Sequence, residues 1–359
     1  MRMGAGDIKA LGFCESFYAG ELEKRKELGI ARVTSVHKER FTISDGVNVA
    51  VAVLSGKFMS NADSTFAFPC AGDWVFFQAH NADEFTVIHS VLPRKTILKR
   101  KTPGRKVDFQ LIAANIDVAL IVQALDADFS VSRLERYLVM IHESHIHPVV
   151  LLSKCDLLLP EEVSQKVAEI REVLPGLQIV VFSNKTGEGA DALRELLAPS
   201  KTFCLLGSSG VGKTTLINTL IGEQAFATQE VRESDGKGRH TTTTRQLIKL
   251  KSGVIIVDTP GMRELGNFAA EEGFDETFPD VVGLAGQCRF NNCTHTQEKG
   301  CAVLAAIQDG TLAEKRYRNY VKMNKEAEYH QMSYVDKRQK DKRFGKRCRE
   351  VLKFQRNQC

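Results

Sequence analysis

No stretch of this sequence stays apolar for the roughly 18 residues that a membrane-crossing helix requires, which excludes a helical membrane protein. Residues Met1 to Gly20 lack the basic, apolar and small-residue regions of a secretory leader, so a cytoplasmic location with no membrane partner is expected. A disulfide framework is also missing. Of nine cysteines, Cys14, Cys70, Cys155, Cys204, Cys348 and Cys359 are scattered along the chain. The other three, Cys288, Cys293 and Cys301, lie within 14 residues, a pattern that in a reducing compartment points to a metal. Charged residues make up 26% and hydrophobic residues 43%, the balance of an ordinary globular protein, and 359 residues allow two or three domains.

Net charge is +5 but unevenly placed. From Thr311 to Cys359 there are 15 Lys/Arg against 6 Asp/Glu, a net of +9, so the rest of the chain carries −4. A basic tail on a mildly acidic body suggests a polyanionic partner.

The stretch around which the chain is organised is Gly207-Ser208-Ser209-Gly210-Val211-Gly212-Lys213-Thr214-Thr215. It fits the phosphate-loop pattern G-x-x-x-x-G-K-[ST] and lies between an apolar strand candidate, Thr202–Leu206, and a helix candidate, Thr214–Ile221. Glycines let such a backbone curl around phosphates with its N–H groups inward, ahead of a helix N-terminus. Lys213 is placed to reach the β- and γ-phosphates and act in catalysis, and Thr214 to ligate Mg²⁺. After the strand Gly253–Val257, Asp258-Thr259-Pro260-Gly261 supplies a carboxylate for the Mg²⁺ shell and a glycine N–H for the γ-phosphate. Thr241–Thr244 lie between these two motifs, and Thr242 and Thr243 are candidates to close on the nucleotide.

Two further motifs choose the base. Ser153-Lys154-Cys155-Asp156 follows the strand Pro148–Leu152 and resembles N-K-x-D, in which the Asp accepts bonds from guanine N1–H and its 2-amino group. Serine replaces the usual asparagine, so one contact tying the base loop together is expected to be shorter or lost. Ser183-Asn184-Lys185, after the strand Gln178–Phe182, resembles the loop whose backbone supports guanine O6. All five motifs point to GTP with Mg²⁺, but their order is shifted: the base-reading pair precedes the phosphate loop. The expected fold is therefore α/β, a circularly permuted P-loop GTPase domain over residues 98–270.

It has neighbours on both sides. Residues 1–29 form an N-terminal extension. Five short strand candidates, at 30–37, 40–44, 47–54, 73–80 and 84–91, predict an OB-type β-barrel over 30–97. Pro93-Arg94 and Lys99-Arg100-Lys101 read as a linker. Over 271–359, Cys288, Cys293, His295 and Cys301 suit one tetrahedral, closed structural Zn²⁺ site, followed by helix candidates at 302–309 and 312–332 and the basic tail.

Barrel, permuted motif order and C-x4-C-x-H-x5-C in one chain resemble the bacterial ribosome small-subunit-dependent GTPase A family, as do Ala113–Asp117, Ala124–Phe129 and Arg133–Tyr137. The resemblance implies a monomer that binds the small ribosomal subunit and its rRNA and hydrolyses GTP to GDP in a subunit-stimulated way during late subunit maturation. Many GTPases orient the attacking water with a glutamine after the D-x-x-G glycine. Met262 stands there and cannot, so intrinsic hydrolysis should be slow, and His240 is the nearest polar candidate. The alternative is an RNA-binding module that uses GTP only as an occupancy switch. An ATPase is disfavoured by Ser153–Asp156 and by the lack of an adenine-pocket signal.

Overall fold

The computed structural model describes residues 7–38, 40–62, 64–79, 86–101, 109–222, 246–258 and 271–332. His240, Thr242, Thr243, Gly261, Met262 and the tail from 333 lie outside the described residues. The chain divides into two compact units. The first carries a barrel and a mostly parallel sheet; the second carries the chain from Phe278 onward.

In the first unit a helix, α1 (Glu15–Lys24), precedes five strands and a short helix: β1 (Gly29–His37), β2 (Arg40–Ser44), β3 (Val49–Leu54), α2 (Gly56–Asn61), β4 (Trp74–Ala79) and β5 (Thr86–Val91). β1 pairs with both β2 and β4, β2 with β3, and β4 with β5, all antiparallel; β3 runs parallel to β5 and closes the ring. This is the expected OB-type barrel. Period-2 alternation puts Ala31, Val33, Phe41, Ile43, Val75, Phe77 and Ile88 inside it. The outward residues of β4 are not wet, because Trp74 and Phe76 are covered by Leu11, Phe13 and Tyr18 from the N-terminal segment. Phe13 stacks on Tyr18 at 4.9 Å and meets Trp74 edge-on at 4.8 Å. Residues before β1, which carry no strong sequence signal, thus supply a second core.

The linker reading of Pro93–Lys101 is corrected. β6 (Ile97–Lys101) pairs with β7 (Phe109–Ala114), with Leu98 fully buried and Arg100 donating to Gln110. Arg94 is a structural cation: it grips the buried Asp73 through two bonds of 2.7 Å and donates to the carbonyls of Phe66 and Phe68.

Strand and helix then alternate through β8 (Val118–Ala124), α3 (Val131–Glu143), β9 (His147–Ser153), α4 (Pro160–Val173), β10 (Gln178–Val181), α5 (Ala190–Leu196), β11 (Thr202–Leu206), α6 (Lys213–Gly222), β12 (Gln246–Lys249) and β13 (Ile255–Asp258). Their spatial order is β10-β9-β8-β11-β13-β12, parallel except for β12. Alternate residues of the central strands face opposite ways. Ile121, Leu152 and Leu206 pack with Leu134, Leu138 and Ile170 on the α3–α4 side. Leu120, Leu151 and Leu205 pack with Leu193 and Leu216 on the α5–α6 side. Helix α7 (Glu271–Thr277) rests on the end of α3, where His142 Nδ1 lies 3.0 Å from Thr277 Oγ1. Any side chain at Gly273 would strike the Val139 carbonyl, since a Cβ there would lie 2.1 Å from it.

In the second unit, α8 (Pro279–Ala285), α9 (Ala302–Gln308) and α10 (Glu314–Gln331) enclose a small core with Phe278, Val281, Val303, Leu312 and Met323 buried. Arg316 makes two bonds to Asp280, at 2.6 and 2.9 Å, and lies over the Phe278 ring.

Barrel and parallel sheet meet at Arg32, which is 1% exposed. Its guanidinium donates to four segments: the carbonyls of Leu11 (2.5 Å), Gly72 (3.1 Å) and Asn115 (3.0 Å) and the hydroxyl of Thr202 (2.9 Å). Burial lowers its pKa to about 10, opposed by Asp117, Tyr18 and Asp73, so it stays charged at neutral pH. Arg32→Met would keep the bulk and strip three buried carbonyls of a donor, at about 1 kcal/mol or more each. Thermal unfolding should shift down by roughly 6 °C or more; an unchanged midpoint would contradict this role.

Candidate functional site

Parallel sheets put ligand sites at the carboxyl ends of their strands. Here the ends of β8, β9, β10 and β11 bring the predicted loops together. Strand β11 runs straight into Gly207. The loop passes so close to β8 that a Cβ at Gly207 (φ +141°) would lie 2.2 Å from the Val122 carbonyl. Only glycine fits there. Ser209 and Gly210 are exposed at the tip, and Val211 turns its side chain into the α5–α6 core. Lys213 begins α6, and its Nζ donates to the carbonyls of Gly207 (2.6 Å) and Ser208 (2.5 Å), so its charge sits over the mouth of the loop. Thr214 and Thr215 are exposed in the first turn of that helix.

The Ser153 hydroxyl is fully buried and donates to the Val211 carbonyl at 2.7 Å. This serine therefore ties the end of β9 straight to the phosphate loop. Lys154 takes a left-handed conformation (φ +62°) and its ammonium pairs with Asp126 at 2.8 Å. That bond, above all, holds the Asp126 carboxyl below its usual range. The side chain of Cys155 is buried in the α3–α4 core, where desolvation raises its pKa to about 11. Its N–H still donates to the Phe182 carbonyl, at 3.4 Å. Asp156 Oδ1 accepts from Ser183 Oγ at 2.6 Å, and that hydroxyl also accepts from the N–H groups of Lys185 and Thr186. One serine thus couples the Asp156 carboxylate to the loop beyond β10. Asn184 Nδ2 reaches the Gly212 carbonyl at 3.3 Å.

Sequence reasoning missed two groups. Arg133, on α3, donates to Ser208 Oγ at 2.9 Å and pairs with Asp128. Asp126 and Asp128 belong to the stretch Ala124–Phe129, whose two acids two and four residues beyond the end of β8 were the available signal. Asp258 is the last residue of β13, adjacent to β11, and faces Gln246 in the ladder.

The second unit gathers Cys288, Cys293, His295 and Cys301, with all four ligand atoms within 4.8 Å of one another. The Sγ atoms of Cys288 and Cys301 are 3.8 Å apart, and each is 3.5 Å from His295 Nδ1. Tetrahedral arms of about 2.3 Å to sulfur and about 2.0 Å to nitrogen span about 3.8 and 3.5 Å, so the donor set fits a zinc ion. Outer contacts hold it: Leu304 N–H donates to Cys301 Sγ at 3.4 Å, and Tyr317 donates to the His295 carbonyl. Glu298 ties the loop by accepting from Thr294, Thr296 and Gln297 N–H groups.

Comparison with known proteins places this geometry. A family profile described as RsgA GTPase matches residues 91–268. Small ribosomal subunit biogenesis GTPase RsgA 2 of Lactiplantibacillus plantarum is 40% identical, over 86% of this chain and 86% of that one. Small ribosomal subunit biogenesis GTPase RsgA of Leptospira interrogans is 36% identical, over 96% of this chain and 97% of that one. Among solved structures, YjeQ from Thermotoga maritima superposes with a TM-score of 0.62 at 30% identity, covering 82% of this chain and 97% of that one. YloQ, a circularly permuted GTPase, gives 0.60 at 25% identity, covering 86% and 98%. With its closed five-stranded barrel, its permuted sheet and its Cys3His cluster, the chain belongs to the RsgA GTPase family.

Proposed function

We propose that this protein is a cytoplasmic, monomeric GTPase that binds the small ribosomal subunit through its rRNA and hydrolyses GTP to GDP, stimulated by that subunit, during its late maturation. The observation that carries the reading is that Ser153 and Asn184 bond to the phosphate loop at Val211 and Gly212, while Ser183, beside Asn184, bonds to Asp156. A guanine reader and a phosphate cradle are then tied together at one sheet edge. The named function of the relatives supports the ribosomal partner.

In this reading the barrel spans 30–97, the GTPase domain 98–270 and the zinc module with its basic tail 271–359, behind an extension at 1–29. Asp156 accepts from the guanine N1–H and 2-amino group, and the Lys154 stem lies along the base. The N–H groups of Ser208 to Thr215 wrap the phosphates. Thr214 and Asp258 would hold Mg²⁺, which would supply positive charge beside the terminal phosphates. Lys213 adds to that charge, Thr242, Thr243 and Gly261 close on the γ-phosphate, and His240 orients the water that Met262 cannot. One zinc ion on Cys288, Cys293, His295 and Cys301 leaves no open position, so its role is structural. The basic tail meets rRNA phosphates, and its affinity falls with salt.

Two measurements test this. GTP turnover should rise at least about tenfold on adding purified small subunits, and His240→Ala should lower the stimulated rate while GTP affinity holds; turnover indifferent to the subunit would reject the proposal. Elemental analysis should find about one zinc per chain, lost with local unfolding of the module in Cys293→Ala; a folded, metal-free wild type would refute the metal reading.

A further inference from the structure

We infer that Asn184 is a positioning residue that shares with Ser153 the task of aiming the phosphate loop. The inference rests on the nucleotide reading above and extends it to how the cradle is held open. Two side chains from two different strand ends grip two successive carbonyls of one loop. Ser153, at the end of β9, holds the Val211 carbonyl at 2.7 Å. Asn184, just beyond β10, holds the Gly212 carbonyl at 3.3 Å. The acceptor is a carbonyl, so the amide must present its NH₂.

A trans peptide is planar, with its C=O and N–H pointing opposite ways. Fixing the Val211 carbonyl therefore aims the N–H of Gly212, and fixing the Gly212 carbonyl aims the N–H of Lys213. Both carbonyls are drawn toward the base loops, which turns the two N–H groups to the other side, into the cradle. The Gly212 carbonyl also accepts from Leu216 N–H at 2.9 Å, so Asn184 acts on the first bond of α6 as well. The fit is close: at Gly212 (φ +94°) a Cβ would come within 3.0 Å of Asn184 Nδ2.

Residue types explain the division of labour. A serine hydroxyl is one bond long and can serve one carbonyl. Position 153 is fully buried, and the amide that could span further stands instead at 184, on the neighbouring loop. Asn184 was singled out as part of a loop whose backbone faces the base, but its side chain faces the phosphate loop. Its loss should therefore weaken phosphate binding and leave base reading intact. An asparagine introduced at 153 should take over the missing grip.

The experiment is calorimetric titration of GTP, GDP, ITP and ATP into the full-length wild type, Asn184→Ala, Asn184→Ser and Ser153→Asn/Asn184→Ala, each checked by thermal unfolding. ITP lacks the 2-amino group that Asp156 would read. Both single variants should bind GTP and GDP about threefold to tenfold more weakly, with the GTP:ITP ratio of the wild type. The double variant should recover affinity to within about twofold. Wild-type affinity in Asn184→Ala, a collapsed GTP:ITP ratio, or a double variant as weak as Asn184→Ala would each overturn the proposal. A wild type that binds ATP as well as GTP would remove the base-reading assignment beneath it.

Discussion

The parallel pairing of β11 between β8 and β13 is the constraint on which the site depends. Cys204 stands opposite Ala119 on one side and Val257 on the other. That register sets Gly207 beside Val122, puts the end of β13 next to the loop, and leaves β9 and β10 to carry the Ser153–Asp156 and Ser183–Lys185 loops one and two strands beyond β8. Hydrogen-bond ladders and side-chain packing are indifferent to the order in which the chain visits them. The sheet can therefore begin at β8, read the base loops first and arrive at the phosphate loop late, with every loop still at the same edge.

The other end of the same strand is the anchor of the barrel. Thr202 opens β11; its hydroxyl accepts from Arg32 and its N–H donates to Asp117 at 2.7 Å. Asn115, in a left-handed conformation (φ +55°), gives its carbonyl to Arg32 and its side-chain oxygen to Lys95 N–H, and donates to the Gly72 carbonyl. The stretch Ala113–Asp117 thus earns its place at a junction far from the nucleotide edge. Five wholly buried residues, Thr202–Leu206, separate this junction from the phosphate loop. A buried cation at one end and a glycine cradle at the other share one rigid element, so the barrel and the phosphate loop are joined by a single strand.

Much of this was legible beforehand because it is local. Period-2 runs located all five barrel strands to within two residues, and the motif spacings located the strand ends. The Cys3His cluster was legible because cysteine has few other uses at that density. What escaped was set by partners distant in sequence. β6 reads as a basic linker because Lys99 and Arg100 hide its pairing with β7. The cover that Leu11, Phe13 and Tyr18 give Trp74 depends on where the chain returns in space. Helices α7 and α8 are short, and each needs its partner surface to form. Ser153 looked like a weakening of the base loop because its acceptor, Val211, lies 58 residues away, and the acceptor of Asn184, Gly212, lies 28 residues away.

At the centre of the proposed function stands one carboxylate, Asp156, which lies just beyond β9 and accepts from Ser183. In the proposed function its identity decides which base is accepted. Asparagine there would lose an acceptor for two N–H donors and gain an NH₂ that suits the extra carbonyl of xanthine. Titration of GTP, ATP and XTP into the wild type and Asp156→Asn tests this directly. The account predicts a wild type that takes GTP and discriminates against ATP, and a variant that trades GTP for XTP. Equal binding of GTP and ATP by the wild type, or an unchanged preference in the variant, would contradict it.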